Sequence, residues 1–162
     1  MPDCRPMSDP ALPPRLVLDT NVWLDLLVFA DPRCAALGAA IAEARVELLI
    51  DADCHAEWAR VLTYPMLQLD ATQRDRLCQR QRELCLWQPP PSSPLPPLPR
   101  CRDPDDQKFL QLALCGGAQR LLSRDQALLE LDRRLRRRGL FGVQTPEAFA
   151  LDATVHSAAA DA

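Results

Sequence analysis

The chain has 162 residues, of which 48% are hydrophobic and 25% charged, which fits one globular domain and excludes disordered, collagen-like and coiled-coil chains. A domain of this size buries enough surface to fold without a disulfide or a structural metal. The formal charge of −3 excludes a protein that holds nucleic acid by bulk positive charge, but not an enzyme that keeps acid in one pocket and base elsewhere.

Residues 1–14 are dense in proline and read as a disordered leader. Arg15 to Asp19 is a short β-rich apolar run, followed by a turn at Thr20-Asn21 and a helical stretch from Val22 to Phe29. Asp31-Pro32 breaks that helix, and the alanine-rich residues 33–45 form another. Val46 to Ile50 is a second buried strand, and Asp53 is expected to cap a helix reaching Thr63. Residues 71–86 read as a polar helix with Leu77, Leu84 and Leu86 at core spacing.

Residues 89–99, PPPSSPLPPLP, lack the N–H groups that a helix or central strand requires and read as a stiff surface connector. Asp103-Pro104 opens a helix that Gly116-Gly117 stops. Ala118 to Leu122 is a third strand, 126–138 a helix ending at Gly139, and Phe141 to Thr145 a last strand. Pro146 to Leu151 adds a helical turn before a loose tail over 151–162. Short apolar strands alternating with helices predict an α/β/α sandwich around a mostly parallel sheet of four to five strands.

In such a sheet, ligands bind beyond the carboxyl ends of the strands. Asp19 ends the first strand, Glu57 lies on the helix after the second, Asp103, Asp105 and Asp106 crowd a helix start, and Asp125 follows the strand 118–122. Two carboxylates ~4 Å apart repel by roughly 4 kcal/mol at an effective dielectric of 20, so such a gathering needs protons or a cation. Oxygen-rich sites without histidine suit Mg²⁺ or Mn²⁺. Each acid also has a purely structural reading: Asp103 and Asp125 as helix caps, Asp105 and Asp106 at the positive end of a helix dipole, Glu57 as a solvated helix residue. Asp19 is the hardest to explain that way, because an acid at the end of a buried strand is costly without a partner.

The seven cysteines contain no CxxC pair, and adjacent Cys54 and His55 are poorly placed to share a zinc ion, so reduced thiols are expected. His156 lies in the expected loose tail, which argues against a histidine general base. Neither GxGxxG nor a Walker lysine motif is present. The longest apolar runs, such as Leu26 to Ala30, fall far short of a bilayer span, and no secretory signal is visible, so a cytoplasmic protein without a membrane partner is expected. Lys108 is the sole lysine among many arginines; with abundant Ala, Leu and Pro this suggests a GC-rich bacterial genome.

Val17-Leu18-Asp19-Thr20-Asn21-Val22 resembles the opening motif of the PIN domain family of metal-dependent ribonucleases. Ala56 to Leu62 is similar to the segment carrying the family's second acid, Arg102 to Ala113 to its third-acid helix, and Gly117 to Asp125 to the strand and turn that deliver the fourth. Phe141 to Phe149 resembles the closing strand and helix of the subgroup described as toxins of type II toxin–antitoxin pairs. The resemblance covers 15–150 and implies hydrolysis of single-stranded RNA with one or two Mg²⁺ or Mn²⁺ ions. It implies that Asp19, Glu57, Asp106 and Asp125 line the metal site, with Asn21 and Ser123 in support and Asp103 and Asp105 fitting less surely. It further implies a homodimer formed through the early helices and a cognate antitoxin protein that fills the acidic cleft.

Two features depart from the family pattern: Ser123-Arg124 stands where Thr-Gly is frequent, and the proline-rich 89–99 insert borders the expected cleft. Arg124 is expected either to touch a phosphate or to fold over the site. Arg133, Arg134, Arg136, Arg137 and Arg138 form the densest basic patch, a candidate path for RNA that equally complements a helix dipole. Trp23, Trp58 and Tyr64 lie on or beside the early helices and are candidates for an interface core. Two other functions compete: an inactive PIN-like module that binds RNA or protein, which the full acid set disfavours, and another Mg²⁺-dependent phosphohydrolase. A haloacid-dehalogenase type would need an acid at position 21, where Asn stands.

Overall fold

A computed structural model describes residues 12–150. Residues 1–11 of the expected leader 1–14 and the tail 151–162, His156 included, lie outside the described residues. Five strands form one all-parallel sheet in the order β3-β2-β1-β4-β5, with β1 Arg15–Leu18, β2 Glu47–Ile50, β3 Cys85–Trp87, β4 Arg120–Leu122 and β5 Gly142–Gln144. The helices are α1 Thr20–Leu27, α2 Ala35–Ala42, α3 Ala52–Val61, α4 Ala71–Leu84, α5 Gln107–Cys115, α6 Gln126–Leu129 and α7 Asp132–Arg137, with a final helical segment over 146–150.

The chain winds outward from β1 to β2 and β3, then returns to β4 on the other side of β1 and continues to β5. Parallel crossovers are right-handed, so reversing direction sends the later helices to the opposite face. The alternation of strand residues shows this division. Leu16, Leu18, Leu48 and Leu122 pack with Val22, Trp23, Leu37, Trp58 and Leu62, whereas Val17, Leu49 and Leu121 pack with Phe109, Leu110, Leu112, Leu128 and Leu135. Order thus reverses at the β1–β4 junction, and the crevice beyond their carboxyl ends is where such folds bind ligands.

Several sequence expectations need correcting. The stretch 71–86 is not one helix: α4 ends at Leu84, and Cys85–Trp87 leaves it to pair with Leu48–Ile50 as edge strand β3. Asp51, not Asp53, caps α3, accepting from the Cys54 N–H at 2.9 Å. The helix over 126–138 is two, α6 and α7. Asp132 opens α7, where its carboxylate accepts from Val143 N–H at 2.6 Å and Arg136 at 2.8 Å, tying that helix to β5. The expected stop at Gly116-Gly117 is present: Gly117 takes a φ of 65°, and a Cβ at Gly116 would stand 2.4 Å from a Leu49 methyl.

Trp23 and Trp58 do not form a surface. They are 1% and 0% exposed and pack on each other with ring centroids 6.3 Å apart, because α1 and α3 lie side by side over β1. Apolar exposure remains at Phe29, Tyr64 and Met66 near the ends of those helices. The six described cysteines are free, and burial pushes the Cys54 thiol far up and Cys85 to about 12, as expected for unreactive core thiols. No described helix is long and apolar enough to cross a membrane.

Removing the Asp132 carboxylate would leave the Val143 N–H without its acceptor. Asp132→Ala should therefore cost about 1–3 kcal/mol, read as a lower midpoint in urea denaturation; an unchanged midpoint would show that water replaces the bond.

Candidate active site

The β1 and β4 ends each deliver an acid because each strand stops into a helix cap. Asp19 follows Leu18, and its Oδ1 accepts from Val22 N–H at 3.0 Å, capping α1. Asp125 caps α6 by accepting from Ala127 N–H at 2.9 Å. Ser123, fully buried, joins the two: its hydroxyl donates to Asp19 Oδ2 and accepts from the Asp125 N–H at 2.9 Å. The third acidic segment arrives from the connector before α5. Asp103 caps a 3₁₀ turn over Pro104–Asp106 by accepting from Asp105 N–H at 3.0 Å, and this turn brings Asp106 towards Asp125.

Asp103, Asp106 and Asp125 can each place a carboxylate oxygen within 4.8 Å of the others. Asp106 Oδ2 is buried and has no hydrogen-bond partner among the described residues. Burial first, then the hydrogen bond and charge of Asp125, then Asp103 and Asp19, push the Asp106 carboxyl up to about 7. Asp19 is pushed up to about 6, chiefly by burial, against the hydrogen bonds from Ser123 and from the Val22 and Asn21 N–H groups. An acid triad with an orphaned buried oxygen is a donor set suited to a hard divalent cation.

The sequence-predicted residues are therefore gathered unevenly. Asp106 and Asp125 stand together, Asp19 joins them through Ser123, and Asp103, expected only in support, enters the triad. Glu57 stands outside it. Its Oε2 accepts from the Thr20 hydroxyl, and its Oε1 accepts from Lys108 Nζ at 2.7 Å, with Arg60 at 3.7 Å. Asn21 is exposed, and only its backbone N–H supports Asp19; Thr20, one residue earlier, is the side chain that holds an acid. Asp105 is exposed and offers its carbonyl to Lys108 rather than its carboxylate to the triad.

Arg124 is turned away from the acids. It pairs with Asp25 at 2.9 Å and with Glu147, fastening the final helical segment to α1. The basic patch is also displaced. A helix between parallel strands runs back to the starting edge of the sheet, and Arg136 lies beside Gly142 and Arg120 at the starts of β5 and β4, opposite the acids. Arg133, Arg134 and Arg137 are exposed on the same short α7 and make no ion pair among the described residues. His55 takes no part: Nε2 accepts from Arg82 at 3.1 Å while Nδ1 donates to Gln81 at 2.7 Å.

Thr20 and Lys108 are the residues that sequence reasoning missed. Thr20 carried a signal in its place directly after Asp19; Lys108 carried one as the sole lysine, one helical turn beyond Asp105.

The family model described as PIN domain matches residues 15–127, which contain Asp19, Glu57, Asp103, Asp105, Asp106 and Asp125. The chain belongs to the PIN domain family. No curated protein and no solved structure matches it. PIN domains are generally metal-dependent nucleases, and the acid triad of this PIN domain could hold an ion.

The raised Asp106 carboxyl has a stability consequence in metal-free protein. Its folded value, about 7, lies above the unfolded 3.8, so its ionisation destabilises the fold above pH 7, and that cost disappears as pH falls through 7 towards 4. Asp106→Asn should raise the metal-free melting temperature at pH 8 by roughly 2–4 °C, corresponding to about 1 kcal/mol after discounting for solvent screening. The gain should vanish near pH 4 and shrink when Mg²⁺ is added. A scan showing the same difference at both pH values would reject this origin.

Proposed function

We propose that this PIN domain is a metal-dependent endoribonuclease that cleaves single-stranded RNA, acting in the cytoplasm as the toxin of a toxin–antitoxin pair. The observation that carries the nuclease reading is the hydroxyl of Ser123. It couples Asp19 and Asp125 at the β1–β4 crevice and sets them beside Asp106, whose buried oxygen lacks a partner. The full acid set favours an active enzyme over an inactive binding module.

In this reading Asp106 and Asp125 hold a Mg²⁺ or Mn²⁺ ion, with Asp103 at the exposed edge and Asp19 behind Ser123. When bound, the ion supplies positive charge for the scissile phosphate and makes water a stronger nucleophile at neutral pH. The chain's own residues set the geometry. Val22 N–H and the Ser123 hydroxyl fix both Asp19 oxygens, so this carboxylate cannot rotate. The Ala127 N–H fixes Asp125 Oδ1. Hydrolysis adds water across the phosphodiester, the 3′-oxygen leaves, and a 5′-phosphate is formed. RNA reaches the cleft past Asp103 and the 89–99 connector, since Arg124 is engaged elsewhere and α7 ends at the far sheet edge.

The test is purified protein incubated with single-stranded RNA and Mn²⁺ or EDTA. Cleavage should require metal and fall by roughly 10²–10³-fold in Asp19→Asn and Asp125→Asn, the usual scale for losing one electrostatic group at a reacting phosphate or acyl centre. Unaltered cleavage by either variant would remove that residue from the site.

Self-association and an antitoxin are proposed on the exposed Phe29, Tyr64 and Met66 beside α1 and α3 and on the acidity of the cleft. An inserted antitoxin arginine would be drawn to the carboxylates. Light scattering should give a dimer of about twice 18.1 kDa. A monomer at micromolar concentration would reject self-association, and an adjacent gene product that neither co-purifies nor inhibits would reject the antitoxin.

A further inference from the structure

Lys108, two residues beyond Asp106, holds Glu57. Its ammonium lies 2.7 Å from Glu57 Oε1 and 2.6 Å from the Asp105 carbonyl, which lies one helical turn earlier. The side chains of Lys108 and Glu57 are 20% and 13% exposed, so the pair is shielded from salt far better than a surface ion pair. The Lys108 ammonium also lies 5.4 Å from the centre of the Phe109 ring, whose face limits where the amine can move. The other carboxylate oxygen of Glu57 accepts from Thr20. Among the described residues the further ion-pair partner of Glu57 is Arg60 at 3.7 Å, and its side chain is 64% exposed. Both oxygens of Glu57 thus have close donors, while Asp106, two residues before Lys108 in sequence, keeps an oxygen with none among the described residues.

A carboxylate already neutralised by an ammonium is a poor ligand for a divalent ion, because an ion bound there would meet the repulsion of the neighbouring positive charge. We propose that Lys108 is the built-in cation of the Glu57 side of the cleft, so that this chain binds a single divalent ion, on the Asp106–Asp125 side. The inference rests on the metal-dependent reading above and adds the number of ions and the reason for it. Glu57 then serves as a positioning residue: it holds Lys108 in place beside the acid-bearing segment 103–106.

The test is a calorimetric titration with Mn²⁺ alone, which reads ions per chain without any substrate. Wild-type protein should bind one ion. Lys108→Met should free Glu57 and bind a second, or bind its ions at least tenfold more tightly. Lys108→Arg, which keeps a cation there, should behave as wild type. Adding Glu57→Gln to Lys108→Met should return the count to one. Two ions on wild-type protein would overturn the assignment of Lys108 and leave the metal-dependent reading standing; this arm requires no variant to fold. An unchanged count and affinity in Lys108→Met with a native circular dichroism spectrum would overturn it equally. No manganese on wild-type protein would overturn both readings.

Discussion

The Ser123 hydroxyl is the contact on which the site depends. It sits at the end of β4, fully buried, and uses its one proton on Asp19 and a lone pair on the Asp125 N–H. Those two acids follow different strands and lie 106 residues apart in sequence. The backbone could bring them near each other, since Leu16–Leu18 pairs with Arg120–Leu122. Strand pairing alone does not orient a carboxylate. A hydroxyl that donates one way and accepts the other fixes both loops in one geometry, and a hydrophobic residue at 123 would leave a buried carboxylate oxygen unsatisfied.

Around that contact the chain concentrates negative charge and leaves part of it uncompensated. Burial raises Asp19 to about 6, and burial with neighbouring carboxylates raises Asp106 to about 7. Both shifts mean that folding works against ionisation at these positions. The arginines do not relieve it: Arg124 is directed to Asp25 and Glu147, and Arg136 to Asp132 at the other sheet edge. A fold that directs these arginines elsewhere while gathering Asp19, Asp106 and Asp125 stores unfavourable energy that a bound cation can release. Groups with strongly shifted carboxyls in a cleft are the usual mark of a functional site.

How far the sequence reveals this depends on whether the signal is local. β1, β2 and β4 are short apolar runs, each ending at a polar turn, and acids follow within three residues, so Asp19 and Asp125 were visible. β3 was not. Cys85–Trp87 is a three-residue edge strand, half exposed, that follows the polar helix without a turn signal, and only its pairing with Leu48–Ile50 makes it a strand. The break between α6 and α7 was hidden for the same reason. Leu128, Leu131 and Leu135 keep helical spacing across it, while the bond from Val143 to Asp132 comes from a strand not yet formed in sequence order. Trp23 and Trp58 suggested an interface because aromatics favour one, yet a parallel sheet must cover both faces, and these rings cover one.

Glu57 shows the same limit at the level of chemistry. Its position on the helix after β2 was legible, and so was its resemblance to a family acid. Its partners were not, because Lys108 is 51 residues away and reaches it only when α5 packs against α3. A carboxylate's role is set by what satisfies its oxygens. At Asp106 one oxygen is buried without a donor, and the group is poised to take a cation. At Glu57 both oxygens are held, one by the sole lysine in the chain. Two acids that look equivalent as letters thus have opposite electrostatic states across one cleft. The difference lies in their partners: Asp106 keeps a buried oxygen without a donor, and Glu57 is neutralised by an ammonium.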